Sequence, residues 1–293
     1  YEGSPAGRAY KVSYNRPFDT NAETPEDFVW NAEYPMVRFL EANGYDVSYT
    51  TGLDSDRRGN LIKNHKTFLS VGHDEYWSGG QRTNVEAARD AGVNLAFFSG
   101  NEVFWKTRWE NSLSNAGNTP NRTLVACMGT RADAASVPSD TRPENALTGT
   151  IFYVNCCTTD METDGSYAQL RFWRNTRVAN LTANQTTTLG SGILGYEWDE
   201  SPDDNSRPAG LVYLSTPDRN VSSYLQDYGT NYNGGSATHH LTMYRAASGA
   251  LVFGAGSVQW AWGLDNNHSG GSGSTSDAAV RQATVNLFAD MGA

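Results

Sequence analysis

The run Phe68 to Ser78 (FLSVGHDEYWS) constrains this chain more than any other segment. An apolar strand, Phe68-Leu69-Ser70-Val71, stops at a glycine and is followed by His73, Asp74, Glu75 and Tyr76. A helix-forming stretch, Thr83 to Ala91, comes next. That order is strand, tight turn, helix, with four ionisable or metal-competent side chains in the turn. A second apolar strand, Val93 to Phe98, ends in its own polar cluster, Ser99-Gly100-Asn101-Glu102. In open α/β sheets, ligands and catalytic groups gather at the carboxyl ends of strands, where side chains and helix N-termini converge. Two such strand ends, each carrying acid, base or amide groups, have the composition of an active site.

The segments around this core set the expected fold. Ala9 to Tyr14 alternates like a strand, and Thr24-Pro25 has the pattern of a helix start. Phe28, Met36, Phe39 and Leu40 give that helix an inner face until Asn43-Gly44, and Asp46 to Thr50 reads as the next strand. Up to about Trp105 the order β-α-β-(α)-β-α-β implies a mainly parallel sheet covered by helices. After Glu110 the texture becomes rich in Asn, Ser and Thr. Short strands then dominate: Gly149 to Asn155, Gln169 to Trp173, Gly192 to Glu197 and Gly210 to Ser215. His240 to Ala246 and Ala250 to Gly254 read as a hairpin, and Asp277 to Met291 as a last helix. The expected organisation is one domain over residues 1–293, with an α/β core at about 1–110 and 238–293 and a β-rich insertion at about 147–237.

Bulk properties narrow the function. The net charge of −10 opposes nucleic acid, which needs a basic face. No apolar run approaches the roughly 20 residues that span a bilayer. The chain begins at Tyr1, which suggests that a leader or an upstream segment has been removed. Abundant Asn, Thr, Gly and Ser suit a secreted surface. Five sequons, at Asn121, Asn180, Asn184, Asn220 and Asn267, would matter in a eukaryotic secretory route. Three cysteines leave one unpaired, and in an oxidising compartment Cys127 is expected to bridge to Cys156 or Cys157.

Among candidate reactive groups, His73 can act as base or ligand, and Tyr76 as a phenolate ligand to a hard trivalent metal. Glu197 lies between aromatics in Gly195-Tyr196-Glu197-Trp198-Asp199, where apolar walls make a carboxyl a better proton carrier. Asn145, in Arg142-Pro143-Glu144-Asn145, and Asn101 are candidate amide donors to a substrate oxygen. Each has a structural alternative: a turn hydrogen bond for His73, core packing for Tyr34 and Tyr76, a salt bridge for Glu197, and a cap for Asn145.

Taken in order, AEYPMVRFLEANGYDVSY, SVGHDEYWS, LAFFSGNEVFWK, RPENALTG, LRFWRNT, LGYEWDE, RPAGLVYLST, HHLTMYR and GAGSVQWAWGLD carry a family resemblance over nearly the whole chain. The sequence is similar to the C-terminal catalytic domain of the N,N-dimethylformamidase large subunit and its relatives. That resemblance implies a core like class I glutamine amidotransferases, a mononuclear iron held by two tyrosines and a glutamate, and hydrolysis of a non-peptide amide C–N bond. The tyrosines map onto Tyr34 and Tyr76, and the proton-transfer carboxylate onto Glu197. The expected third ligand has no counterpart, because no carboxylate lies between Glu110 and Asp133. Either Glu102, the choice at the strand end, or Glu144 substitutes, or the iron site is incomplete here. The alternative function is a secreted, non-catalytic domain that binds a glycan or a protein partner through exposed aromatics such as Trp260, Trp262 and Tyr228.

Overall fold

The computed structural model describes residues 11–15, 29–112, 119–129, 142–227, 229, 231–270 and 275–293. The expected helix start at Thr24 and Pro25, the aromatic Tyr228 and the side chain of Cys127 lie outside the described residues.

The strands Thr67–Gly72 and Asn94–Ser99 run parallel as neighbours, in register from Thr67↔Asn94 to Gly72↔Ser99. Alternation along the second strand explains why it is central. Leu95 and Phe97 face one way and join Val85 and Ala88 of the Gly79–Asp90 helix. Ala96 and Phe98 face the other way and join Met36, Phe39 and Leu40 of the Tyr34–Ala42 helix, with Leu287 and Phe288 of the Ala278–Met291 helix. The strand is apolar on both sides because helices cover both faces. The Gly79–Asp90 helix begins four residues before Thr83, because Ser78 caps it, accepting the Gln81 N–H at 3.1 Å.

The mainly parallel sheet expected from element order is not what forms. The central sheet is mixed, in the order Val212–Ser215, Leu241–Arg245, Leu251–Gly254, Asn94–Ser99, Thr67–Gly72. Its last three strands are parallel, while the first two add as antiparallel neighbours. Elsewhere among the described residues only Tyr76–Ser78 pairs parallel, with Trp105–Glu110, and the remaining ladders are antiparallel. The molecule is therefore a mixed α/β fold with several antiparallel sheets. The cause is the chain's return through hairpins, such as Leu241–Arg245 to Leu251–Gly254, which reverse direction at each turn. Lys11–Ser13, expected in the parallel core, instead edges a separate sheet against Thr123–Gly129.

Three other expected strands do not form as expected. Within 46–50 only Val47 turns partly inward, and the segment pairs with no strand among the described residues. Gly192 to Glu197 holds only an isolated bridge at Leu194, and the strand there is Glu197–Glu200. Arg171–Trp173 is a 3₁₀ turn, which lets the consecutive residues Phe172 and Trp173 both bury. A strand would send one of them outward.

The cysteines also pair differently. Cys156 and Cys157 are bonded to each other, so neither is available to Cys127. Among the described residues no helix is long and apolar enough to cross a membrane.

Candidate active site

Because Gly72 and Ser99 are register partners, the turns leaving the two parallel strands start side by side. Gly72 takes a positive φ of 84°, a conformation open to glycine, and releases the chain into His73. On the neighbouring strand Gly100 lies against the strand of Glu197. A side chain there would meet Glu197 O, Ser257 Cα and Val258 N, each at 2.9 Å. Only a residue without Cβ permits this approach.

Three polar side chains meet at that point. His73 Nε2 lies 2.6 Å from Glu197 Oε2, and Asn101 Nδ2 donates to the same oxygen at 2.7 Å. His73 Nε2 is 3.3 Å from Glu75 Oε2, and its Nδ1 is 3.4 Å from the Tyr196 hydroxyl. Glu197 Oε2 accepts from the Asn101 amide, so the imidazole nitrogen facing it, Nε2, is the one placed to donate to it. Asn101 is oriented by the same logic, since turning its carbonyl oxygen toward Glu197 would oppose two acceptors.

The Tyr76–Ser78 strand, paired with Trp105–Glu110, braces the acid-rich turn from outside. Val103 N donates to Asp74 O at 3.0 Å and Trp105 N to Glu75 O at 2.9 Å, so the two turns are stitched along their main chains. Burial pushes the Glu75 carboxyl up to about 7. His73 opposes that rise, the facing Glu197 adds to it, and Tyr76 and Trp105 offset part of it by hydrogen bonding. Burial likewise raises Asp74, against the Ser70 hydroxyl that donates to it at 2.7 Å.

The elevated Glu75 has a consequence for stability. Between its ordinary value of 4.5 and about 7 the folded protein holds a proton that the unfolded chain has released. Folding stability contributed by this group is complete below that window and is lost as pH rises through it. In Glu75→Gln the fall between pH 5 and pH 8 should therefore be shallower than in the wild type, as read by urea denaturation at the two pH values. An equal slope in both proteins would show that Glu75 titrates as an ordinary carboxyl.

The remaining sequence candidates sit elsewhere. Glu102 is 2% exposed, and both its carboxylate oxygens are buried without a hydrogen-bond partner among the described residues. Burial first, then the nearby Asp199 and Asp74, raises it well above the carboxylate range. Tyr34 opens its helix at the corner over the Thr67–Gly72 strand, edge-on to Trp30 with a ring separation of 4.9 Å. The Arg38 guanidinium lies 5.9 Å from its ring centre. Asn145 is fully buried and donates to both oxygens of Asp204 at 3.0 Å, tying down the loop at Ser206 and Arg207. It serves as a structural clamp rather than as a partner of His73 and Glu197.

These positions bear on a metal. Among the described residues no three His, Cys, Asp or Glu side chains are grouped as an ion would require. Tyr34 faces Trp30 and Arg38, and Tyr76 lies beside Glu75. The ligand set implied by the resemblance is Tyr34, Tyr76 and Glu102, with Tyr34 opening its helix and Glu102 buried after the Asn94–Ser99 strand.

Two contributors to the site carry little signal in the sequence. Asp199 is two residues beyond Glu197 on the same strand, and its Oδ1 accepts the Asn101 main-chain N–H at 2.9 Å. Ser257 donates to Ile193 O at 2.7 Å and accepts the Gly195 N–H at 3.0 Å, fixing the chain that enters Glu197. The spacing of Glu197 and Asp199 was the available clue. Nothing local marks Ser257.

A strand-end cluster of imidazole, amide and carboxylates on a mixed α/β scaffold defines a candidate hydrolytic site. The family described as N,N-dimethylformamidase beta subunit-like, C-terminal, matches residues 1–271, and the chain belongs to that family. A comparison with curated proteins gave no match.

Proposed function

We propose that this chain hydrolyses a non-peptide amide C–N bond, using Glu197 as the proton carrier. The observation that carries the reading is the shared contact at Glu197 Oε2, with His73 Nε2 at 2.6 Å and Asn101 Nδ2 at 2.7 Å. Membership of a family described by its likeness to N,N-dimethylformamidase, an amide hydrolase, supports an amide as the substrate.

The chemistry follows from the positions. A water beside Glu197 loses a proton to the carboxylate as its oxygen bonds to the amide carbon. When the C–N bond breaks, the same proton passes to the departing amine, so one group serves as base and then acid. His73 and Asn101 fix the carboxylate so that its free oxygen faces the incoming water. Glu75, pushed up to about 7 by burial and by the facing Glu197, turns less negative charge toward His73 than an ordinary carboxylate would.

Two of the three aromatics that suggested a glycan- or partner-binding reading are buried, and the third, Tyr228, lies outside the described residues. Trp260 is fully buried and donates to Thr284 Oγ1 at 3.2 Å, and Trp262 is 3% exposed and donates to Asn31 O at 2.9 Å. Both are core residues, unable to stack on a sugar.

Purified protein incubated with N,N-dimethylformamide and a panel of simple formamides and acetamides should release amine and carboxylate in equal amounts. Absence of release across the panel from folded protein would count against the function.

A further inference from the structure

Asn101 is held at both ends by one strand. Its side-chain amide donates to Glu197, and its main-chain N–H donates to Asp199 Oδ1 at 2.9 Å. Both acceptors belong to Glu197–Glu200. Asp199 is itself immobilised: it is 1% exposed, its Oδ2 accepts from Thr150 Oγ1 at 2.8 Å, and its own N–H donates to Gly256 O at 3.0 Å.

The turn that Asp199 grips is not one the chain adopts freely. Asn101 has φ 48° and Val103 φ 60°. Asparagine tolerates the left-handed region, but a β-branched residue there is a genuine outlier. Such conformations persist only where the surroundings over-determine them, and they gather at functional sites. The described bonds that oppose relaxation are the Asp74 carbonyl on Val103 N, the Glu75 carbonyl on Trp105 N, and the Asp199 carboxylate on Asn101 N. Of these holders only Asp199 acts through a side chain.

We propose that Asp199 is a positioning residue for the hydrolysis: by accepting the Asn101 N–H it keeps the turn left-handed and aims the Asn101 amide at Glu197 and His73. The role rests on the function proposed above. Asp199 touches no reacting atom and acts only through Asn101. Its neighbour Glu102, buried alongside with Asp74 nearby, makes no hydrogen bond to Asp199 or Asn101 among the described residues.

Two substitutions separate the hydrogen bond from the charge. Asp199→Asn and Asp199→Ala both remove the negative charge, but only the asparagine keeps an oxygen for the Asn101 N–H. Its amide can still donate to Thr150 Oγ1, since a hydroxyl accepts as well as donates. The first readout is the side-chain amide signal of Asn101 in nitrogen–proton correlation spectra, which reports its bond to Glu197 without any substrate. That signal should keep its wild-type position in Asp199→Asn and move in Asp199→Ala. The second readout is kcat against KM for amide hydrolysis. The alanine variant should lose about 10- to 100-fold in kcat with KM little changed, and the asparagine variant should recover most of that loss.

An unmoved Asn101 signal in a folded Asp199→Ala protein would overturn the proposal, even if its melting temperature had dropped. Equal shifts in the two variants would also overturn it, because charge rather than the hydrogen bond would then be responsible. If the wild type hydrolyses no amide, the proposed function fails, yet the spectra still decide whether Asp199 holds Asn101.

Discussion

Glu197→Gln should lower kcat for amide hydrolysis by about 10²- to 10⁴-fold, the usual contribution of a positioned proton carrier, while KM changes little. The substitution conserves shape but replaces an acceptor with an amide that can carry no proton between water and amine. It also disturbs its neighbours in a calculable direction. Asn101 Nδ2 and His73 Nε2 both point at Glu197 Oε2, so if the new NH₂ takes that place, donors face donors. Glu75, which the charge of Glu197 helps to raise, should titrate lower in the variant. Steady-state kinetics together with the pH dependence of denaturation read both effects. A Glu197→Gln enzyme with wild-type kcat would remove this residue from the chemistry.

Gly100→Ala should destabilise the fold by about 2–4 kcal/mol, far more than an ordinary surface change. The added Cβ would sit 2.9 Å from Glu197 O, Ser257 Cα and Val258 N, all main-chain atoms that no rotamer change can move away. Relief requires the Ser99–Asn101 turn to part from the Glu197 strand. That motion would also strain Ser257 N–H to Ser99 O, a bond of 2.9 Å. Gly210→Ala is the useful comparison, since Gly210 has positive φ but nothing within 4 Å of the added atom. It should cost roughly 1–2 kcal/mol, from the backbone alone. Calorimetric melting of the two variants should place Gly100→Ala lower and show its amide hydrolysis reduced as well. Equal melting temperatures would mean that the close approach at Gly100 is not what holds the site together.

Local features of this fold were legible in the sequence, and partnerships across it were not. The apolar runs at Phe68 and Leu95, the stop at Gly72 and the hairpin before Gly254 follow from side-chain periodicity and turn chemistry. The pairing of Leu251–Gly254 with Asn94–Ser99 joins segments about 150 residues apart, and periodicity carries no information about direction or partner. A parallel order was therefore inferred from neighbouring elements, whereas the sheet is completed from the far end of the chain. The segment 46–50 illustrates a second limit: its composition suits a strand, but a strand also needs an unpaired edge beside it, and of these residues only Val47 turns partly inward. In the site, His73, Asn101 and Glu197 were visible as reactive types at strand ends. Asn145 carries the same amide group as Asn101, and only the fold distinguishes the one clamped to Asp204 from the one at Glu197. The cysteines show the same difficulty: a bridge from Cys127 was the expected pairing, whereas Cys156 and Cys157 bond to each other.

Hydrolysis carried out in water enriched in oxygen-18 tests the proposed reaction most directly. With the wild-type chain and a small amide that it turns over, the carboxylate product should contain one solvent oxygen for each amine released, and both products should fall together in Glu197→Gln. Amine release that proceeds at the same rate without Glu197, or a folded wild-type protein that releases no amine from any small amide, would contradict hydrolysis at the His73–Asn101–Glu197 cluster.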